Sequence, residues 1–210
     1  MKARPAPLLV AIVGGSGAGK SWLADQLQGM LGNTAARISL DDFYKDRSHL
    51  APGHRARINF DHPRAIDWSR LERTLRDCLA WHTTQLPRYD FTRHARHALP
   101  QVLRPKPLIL MDGLWLLRRP SLRRLFKLRI FIECPSSTRL RRRLARDLSV
   151  RGRCRASVQR QFQETVEPMN ARYVEPQARW ANILLKTPIR KREVKRLKEH
   201  LAALAKSCTR

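Results

Sequence analysis

No stretch of this chain reaches the ~20 consecutive apolar residues that a membrane-spanning helix needs, so the sequence predicts a soluble, cytoplasmic protein. Lys2 and Arg4 precede an apolar run, as in a secretory signal. That run leads straight into a glycine-rich loop, which cleavage would destroy. Cysteine is sparse: Cys78, Cys134, Cys154 and Cys208 stand apart, with no C-x-x-C pair and no histidine at metal-ligand spacing, which argues for free thiols in a reducing compartment. No internal repeat or low-complexity tract is present, and 210 residues with 42% hydrophobic content suit a single α/β domain over 1–210. Carboxylates are also scarce. Seventeen Asp plus Glu stand against 43 Lys plus Arg, a net charge of +26, and such a field attracts polyanions from nucleotides to RNA. The excess is spread from Arg55 and Arg57 through Arg118 and Arg119 to the basic tail, with no RNA-recognition signature and no Arg/Gly-rich arm. Only non-specific electrostatic contact with nucleic acid is expected.

What is present begins at residues 8–13, a continuous apolar run of the kind that forms a parallel strand covered on both faces. It runs into Gly14-Gly15-Ser16-Gly17-Ala18-Gly19-Lys20-Ser21, the spacing G-x-x-x-x-G-K-S, with Trp22 next in the same nucleotide-binding stretch. Glycines let successive backbone N–H groups turn inward around phosphate oxygens at the positive end of the following helix. Lys20 then puts a cation on the β and γ phosphates, and Ser21 offers its hydroxyl to Mg²⁺. A Gly-rich turn that only closes a helix against a strand would need neither side chain.

Further along, Leu23, Leu27, Met30 and Leu31 give a helix over 20–31, ended by Gly32-Asn33, and residues 37–40 read as a second strand. Asp67 or Ser69 caps a helix to about Trp81. Residues 87–107 form a proline-bounded excursion with short strands. Strands at 108–111, 129–133 and 183–185, a helix opened by Pro135-Ser136 and another over 191–206 complete an alternation that implies a doubly wound, mostly parallel sheet. The expected layout is a P-loop NTPase, with insertions over about 41–107, a lid over about 139–165 and a C-terminal helix over about 188–210.

In such a sheet, functional residues gather at the carboxyl ends of strands. Asp112 follows the apolar strand at 108–111 and is the candidate metal-facing carboxylate. Asp41, at the end of the second strand, is the candidate base for activating a hydroxyl, while Asp42 should point elsewhere because neighbours on an extended chain face opposite sides. Arg139, Arg143 and Arg146 stack on one helix face, and Arg151-Gly152-Arg153 follows at a hinge, the layout of a lid that closes cations over phosphates. Leu140, Leu144 and Leu148 form a separate stripe expected to anchor that helix to the core. Arg141 and Arg142 read as a solvated face.

Several longer motifs occur in register: Asp41-Asp42-Phe43-Tyr44-Lys45, Asn59-Phe60-Asp61-His62-Pro63, Pro87-Arg88-Tyr89-Asp90-Phe91 with His94, and Arg146-Asp147 before Arg151-Gly152-Arg153. Thr165-Val166-Glu167-Pro168-Met169 and Val174-Glu175-Pro176 join them. With these the chain resembles the uridine-cytidine kinases, in the wider group of phosphoribulokinase and nicotinamide riboside kinase, from the phosphate loop to about Leu185. The resemblance implies an NMP-kinase-like fold, transfer of the γ-phosphoryl group of ATP, or GTP, to the 5′-hydroxyl of a pyrimidine nucleoside with Mg²⁺, and a homotetramer. It implies that Asp41 is the base and that Asp61 with Arg143 grips the ribose hydroxyls. Tyr44, Phe60, Tyr89, Phe91 and His94 would hold the pyrimidine, Arg153 and Gln161 would add nucleoside contacts, and Arg146 and Arg151 would clamp phosphates. The chain departs from the family at Asp112, where glutamate is common, and at Arg64 and Val150, where acidic residues are frequent. Alternative readings are a kinase of nicotinamide riboside or a sugar phosphate, and a nucleotide-dependent RNA-associated protein. A GTP switch would need an N-K-x-D motif, which the chain lacks.

Overall fold

The computed structural model describes residues 4–56, 58–149 and 152–207. Strand β1 (Leu8–Gly14) is buried along its whole length, and the glycine-rich loop carries the chain into helix α1 (Lys20–Leu31). Leu23, Leu27 and Leu31 face the sheet at four-residue intervals, whereas Met30, which shares their spacing pattern, is exposed. Strand β2 (Ala35–Ser39) starts and stops earlier than expected, because Leu40–Phe43 tighten into a 3₁₀ turn. Asp41 therefore lies past the end of the strand, inside the turn.

Helix α2 (Pro52–Ala56) is a single turn or so, and α3 (Trp68–Leu79) is capped by Asp67, whose carboxylate accepts the Arg70 N–H at 3.1 Å. The excursion holds β3 (Thr84–Leu86), β4 (Tyr89–Asp90), β5 (Ala95–Arg96) and β6 (Gln101–Leu103), with β3 antiparallel to β6 and β4 to β5. Arg96 clips this flap down: its Nε donates to the Tyr44 carbonyl at 2.9 Å and its Nη2 to the Asp67 carboxylate at 3.0 Å. Strand β7 (Leu108–Gly113) runs past Met111, so Asp112 sits inside the strand. Then come α4 (Pro120–Arg123), β8 (Phe126–Glu133), α5 (Ser136–Ser149), α6 (Arg155–Gln161), a π-helical segment at Phe162–Val166 and α7 (Glu167–Tyr173). Strand β9 (Ile183–Lys186) and helix α8 (Lys191–Ser207) end the fold. Among the described residues no helix is long and apolar enough to cross a membrane.

All five main strands are parallel, in the order β2-β7-β1-β8-β9. With β1 in the middle, the phosphate loop opens at the carboxyl edge of the sheet between strands whose connections diverge, which is where open α/β sheets bind ligands. Val10, Ile12 and Leu110 pack under Leu23 and Leu27 of α1 and Val194 and Leu201 of α8 on one face. Leu9, Val13, Ile38 and Met111 pack with Phe43, Leu71, Leu75 and Trp115 on the other. Each fully buried leucine contributes ~1.5–3 kcal/mol, so this two-sided core is what fixes the edge in place.

Helix α5 reverses the expected facing. Arg139, Arg143 and Asp147 are its buried positions, while Leu140 and Leu144 are half-buried and Leu148 is 42% exposed, so the leucine stripe does not anchor the helix to the core. The buried charges are paired: Arg139 Nη2 with Glu167 at 2.5 Å, and Asp147 with Arg143 at 3.4 Å and Arg146 at 2.8 Å. Apolar periodicity finds the inner face of a helix only where that face meets apolar surface, and α5 meets the polar edge of the phosphate loop instead.

Candidate active site

The phosphate loop turns through Gly17 and Gly19 at φ 82° and 100°, left-handed angles that strain any residue with a Cβ. At Gly17 a Cβ would also lie 2.6 Å from the Arg139 carbonyl oxygen of α5. Lys20, the first residue of α1, folds back so that its Nζ donates to the Gly15 carbonyl at 3.0 Å. Burial lowers its pKa, against the opposing pull of the Asp41 and Asp112 carboxylates. Ser21 Oγ donates to Asp112 Oδ2 at 2.8 Å, and Asp112 Oδ1 accepts from Arg37 Nε at 2.9 Å. Asp112 is 3% exposed.

Above the loop lies a cavity of about 620 Å³ with three walls. Ser16, Gly17, Gly19, Lys20, Ser21 and Trp22 form the floor, and Asp41, Tyr44, Phe60, Asp61, Phe91 and His94 form the side toward the excursion. Arg142, Arg143 and Arg146 of α5, Gln161 of α6 and Arg153 just before α6 close it from above. His94 stacks on Phe60 with centroids 4.4 Å apart and rings 11° from parallel. Tyr44 meets Phe60 and Phe91 edge-on and donates its hydroxyl to the Phe60 carbonyl at 2.9 Å. Arg143 reaches in three directions: Nη1 donates to Ser16 Oγ at 3.1 Å, Nη2 donates to Gln161 Oε1 at 2.9 Å, and Asp61 lies 4.0 Å away. Burial lowers the pKa of Arg143, while Asp61 and Asp147 oppose the shift.

The two neighbouring carboxylates part company at the 3₁₀ turn. Asp41, whose N–H donates to Ser39 Oγ at 3.3 Å, faces the cavity, and Asp42 does not line it. Burial pushes Asp42 up to about 6, partly countered by a hydrogen bond from the Tyr89 backbone. The separation expected for an extended chain holds, but the turn produces it.

Most of the residues expected from the sequence converge on this cavity, and the exceptions are specific. Gly14, Gly15 and Ala18 do not line it: they shape the loop from below. Tyr89 sits in a second layer, 5.1 Å from Tyr44 and 5.2 Å from Phe91 between centroids, where burial pushes its hydroxyl up to about 12. Arg139 lies behind the loop rather than over the phosphates, donating Nε to the Cys134 carbonyl at 3.2 Å. Arg151, expected to clamp phosphates, lies outside the described residues, as does Val150. Arg142 is not merely solvated: its Nη1 donates to the Gly17 and Ala18 carbonyls at 3.2 Å each and it lines the cavity. Helical spacing set Arg143 apart from its two neighbours but left Arg141 and Arg142 alike, so nothing in the sequence marked Arg142. Ile58, Thr92 and Leu114 are further lining residues that carried no motif. Arg37 did carry a signal, as the only charged residue in β2.

A second cavity of about 340 Å³ lies on the other side of Trp22, lined also by Ala18, Gly19, Arg142 and the Thr187-Pro188-Ile189 turn after β9. The site thus offers a cradle for phosphates, two adjoining compartments sharing Trp22 and Arg142, and a hydroxyl beside a carboxylate at Ser21 and Asp112. Hard oxygen donors of that kind fit Mg²⁺, which takes few protein ligands and completes its shell with phosphates and water. Among the described residues no cluster of His, Cys, Asp and Glu forms a separate metal site.

Comparison with known proteins agrees with this geometry. Residues 9–193 match the family model described as "Phosphoribulokinase / Uridine kinase family". The chain is 35% identical over 180 residues to a uridine kinase of Ligilactobacillus salivarius, covering 85% of this chain and 84% of that one. It is 37% identical over 179 residues to a uridine kinase of Chloroflexus aggregans, covering 85% and 86%. In fold it is similar to the phosphoribulokinase of Rhodobacter spheroides, with a TM-score of 0.65 at 16% identity over 88% of this chain and 71% of that one.

Proposed function

Because the chain belongs to the phosphoribulokinase / uridine kinase family, we propose that it transfers the γ-phosphoryl group of ATP to the 5′-hydroxyl of uridine or cytidine. The observation that carries this reading is that the phosphate loop and the aromatic wall of Tyr44, Phe60, Phe91 and His94 open into one cavity, with Asp41 in its side.

The triphosphate lies on the Gly14 to Ser21 loop, and its base enters the compartment between Trp22, Arg142 and Ile189, which would take adenine or guanine. Ser21 would hold Mg²⁺ with Asp112 behind it, and the ion would neutralise charge on the phosphate oxygens. Asp61 and Arg143 accept from and donate to the ribose hydroxyls, a task that suits an acceptor-only carboxylate beside a donor-only guanidinium. The pyrimidine rests against Phe60 and His94, with Tyr44 and Phe91 at its edges, Tyr89 supporting them, and Arg153 and Gln161 closing over it. Asp41 takes the proton of the 5′-hydroxyl as its oxygen bonds to the γ-phosphorus, the bond to the bridging oxygen breaks, and the nucleoside diphosphate leaves. Lys20 and Arg146, both of which line the cavity, stabilise the charge that spreads over the transferring group.

The test is a product assay with ATP and Mg²⁺ against uridine, cytidine, 2′-deoxyuridine, nicotinamide riboside and a pentose phosphate. Uridine and cytidine should yield monophosphates with matching ADP release. Deoxyuridine should show a kcat/KM lower by ~10²-fold or more, because it lacks a hydroxyl that Asp61 and Arg143 would bind. Turnover of the pentose phosphate or nicotinamide riboside with none of the pyrimidine nucleosides would overturn the assignment.

A further inference from the structure

Strand β2 brings one charge to an otherwise apolar stretch. Parallel pairing sets Arg37 opposite Leu110 and Ser39 opposite Asp112, so the Arg37 side chain rises toward the carboxyl edge on the side covered by α1. There its Nε donates to Asp112 Oδ1 at 2.9 Å, and its Nη1 binds Asp25 of α1. The other oxygen of Asp112 accepts from Ser21 Oγ at 2.8 Å. A carboxylate only 3% exposed therefore has both oxygens engaged by the chain's own donors, directly beside the hydroxyl that faces the phosphates.

We infer that Arg37 is a positioning residue of the metal site: it holds Asp112 back as an acceptor for the metal's water shell instead of a direct ligand, and weakens the site's hold on the divalent cation by setting a fixed positive charge beside it. The inference rests on the reading of Ser21 and Asp112 as the metal-facing pair. A guanidinium keeps its charge at every working pH and its planar fork fixes the carboxylate's orientation, which an ammonium on a flexible stem does not. Mg²⁺ dehydrates reluctantly and retains several waters, and a carboxylate turned toward Ser21 and Arg37 is placed to accept hydrogen bonds from them.

Nucleotide binding without any acceptor tests this, so a chain that phosphorylates no pyrimidine nucleoside would refute the proposed reaction without touching Arg37. The ADP dissociation constant is measured against free Mg²⁺ for wild type, Arg37→Met, Arg37→Lys and Asp25→Asn. Arg37→Met should lower the Mg²⁺ concentration for half-maximal effect by ~10-fold, because a like charge has left the ion's neighbourhood, with affinity in EDTA within ~3-fold of wild type. Arg37→Lys, which keeps the charge, should lie nearer wild type, and Asp25→Asn, which frees only the outer end of the guanidinium, should change the requirement by less than ~3-fold. An unchanged or raised Mg²⁺ requirement in folded Arg37→Met overturns the inference. Should that variant fail to fold, wild type with ATP and Mn²⁺ decides by the number of metal-bound waters. About three are expected beside two phosphate oxygens and Ser21, and about two, meaning direct ligation by Asp112, overturns it.

Discussion

At the 3₁₀ turn Leu40–Phe43 the chain sends one carboxylate to the cavity and the next, half-buried, away from it, and the two make opposite predictions. Asp41→Asn keeps shape but cannot accept the hydroxyl proton, so kcat should fall by ~10²-fold or more while nucleotide affinity is nearly kept. Asp42→Asn should leave kcat much closer to wild type; the reverse pattern would move the base to Asp42. The second effect at Asp42 is on stability. Its pKa is about 6 in the folded protein, against about 3.9 for a free aspartate. The native state therefore holds this proton more tightly, and the contribution of Asp42 to stability falls as pH rises from about 4 to about 6, then stays flat. Asp42→Asn removes that loss, so its gain in melting temperature over wild type should be larger at pH 7 than at pH 4.5. An equal or smaller gain at pH 7 would contradict it. The sequence predicted the divergence of the pair from strand alternation, yet no strand is there: the turn was illegible because its only signal is the Ser39 hydroxyl behind the Asp41 N–H.

Among the elements, those buried on both faces were the legible ones. Residues 8–13 and 108–111 write their burial as unbroken apolar runs, and the phosphate loop between strand and helix has a spacing that admits few other structures. The ladders of the excursion, two or three residues each, are too short to show a period, so only their proline boundaries could be read. Helix α5 misled because its inner face is charged. Its energetics should follow the structure and not the leucine pattern. Asp147→Ala leaves Arg143 and Arg146 without their buried partner and should cost about 3 kcal/mol or more. Leu148→Gln, at an exposed position, should stay within ~0.5 kcal/mol. Urea unfolding of the two variants checks this, and a costly Leu148→Gln beside a neutral Asp147→Ala would mean that the leucine face is the inner one after all.

For the molecule as a whole, the net charge of +26 acts on two length scales. Over the exposed surface it should attract RNA weakly, with an affinity that falls ~10³-fold or more between about 50 and 200 mM salt as phosphate contacts give way to counterions. Inside the cavity the cations would face bound phosphates across a few ångströms, so uridine phosphorylation should change by less than ~10-fold over the same range. Tight, sequence-selective RNA binding at the upper salt concentration, with no phosphorylation at any, would transfer the function to nucleic acid. The cavity itself is assembled from distant parts of the fold that meet at one side chain. Arg143 touches the phosphate loop through Ser16, the lid side through Gln161 and the excursion side through Asp61. If the proposed reaction holds, donor and acceptor should therefore not bind independently, which is read by measuring the affinity for each with and without the other. Whatever factor the nucleoside imposes on the affinity for the triphosphate, the triphosphate must impose on the affinity for the nucleoside, and a shortage of either substrate is felt in the capture of the other.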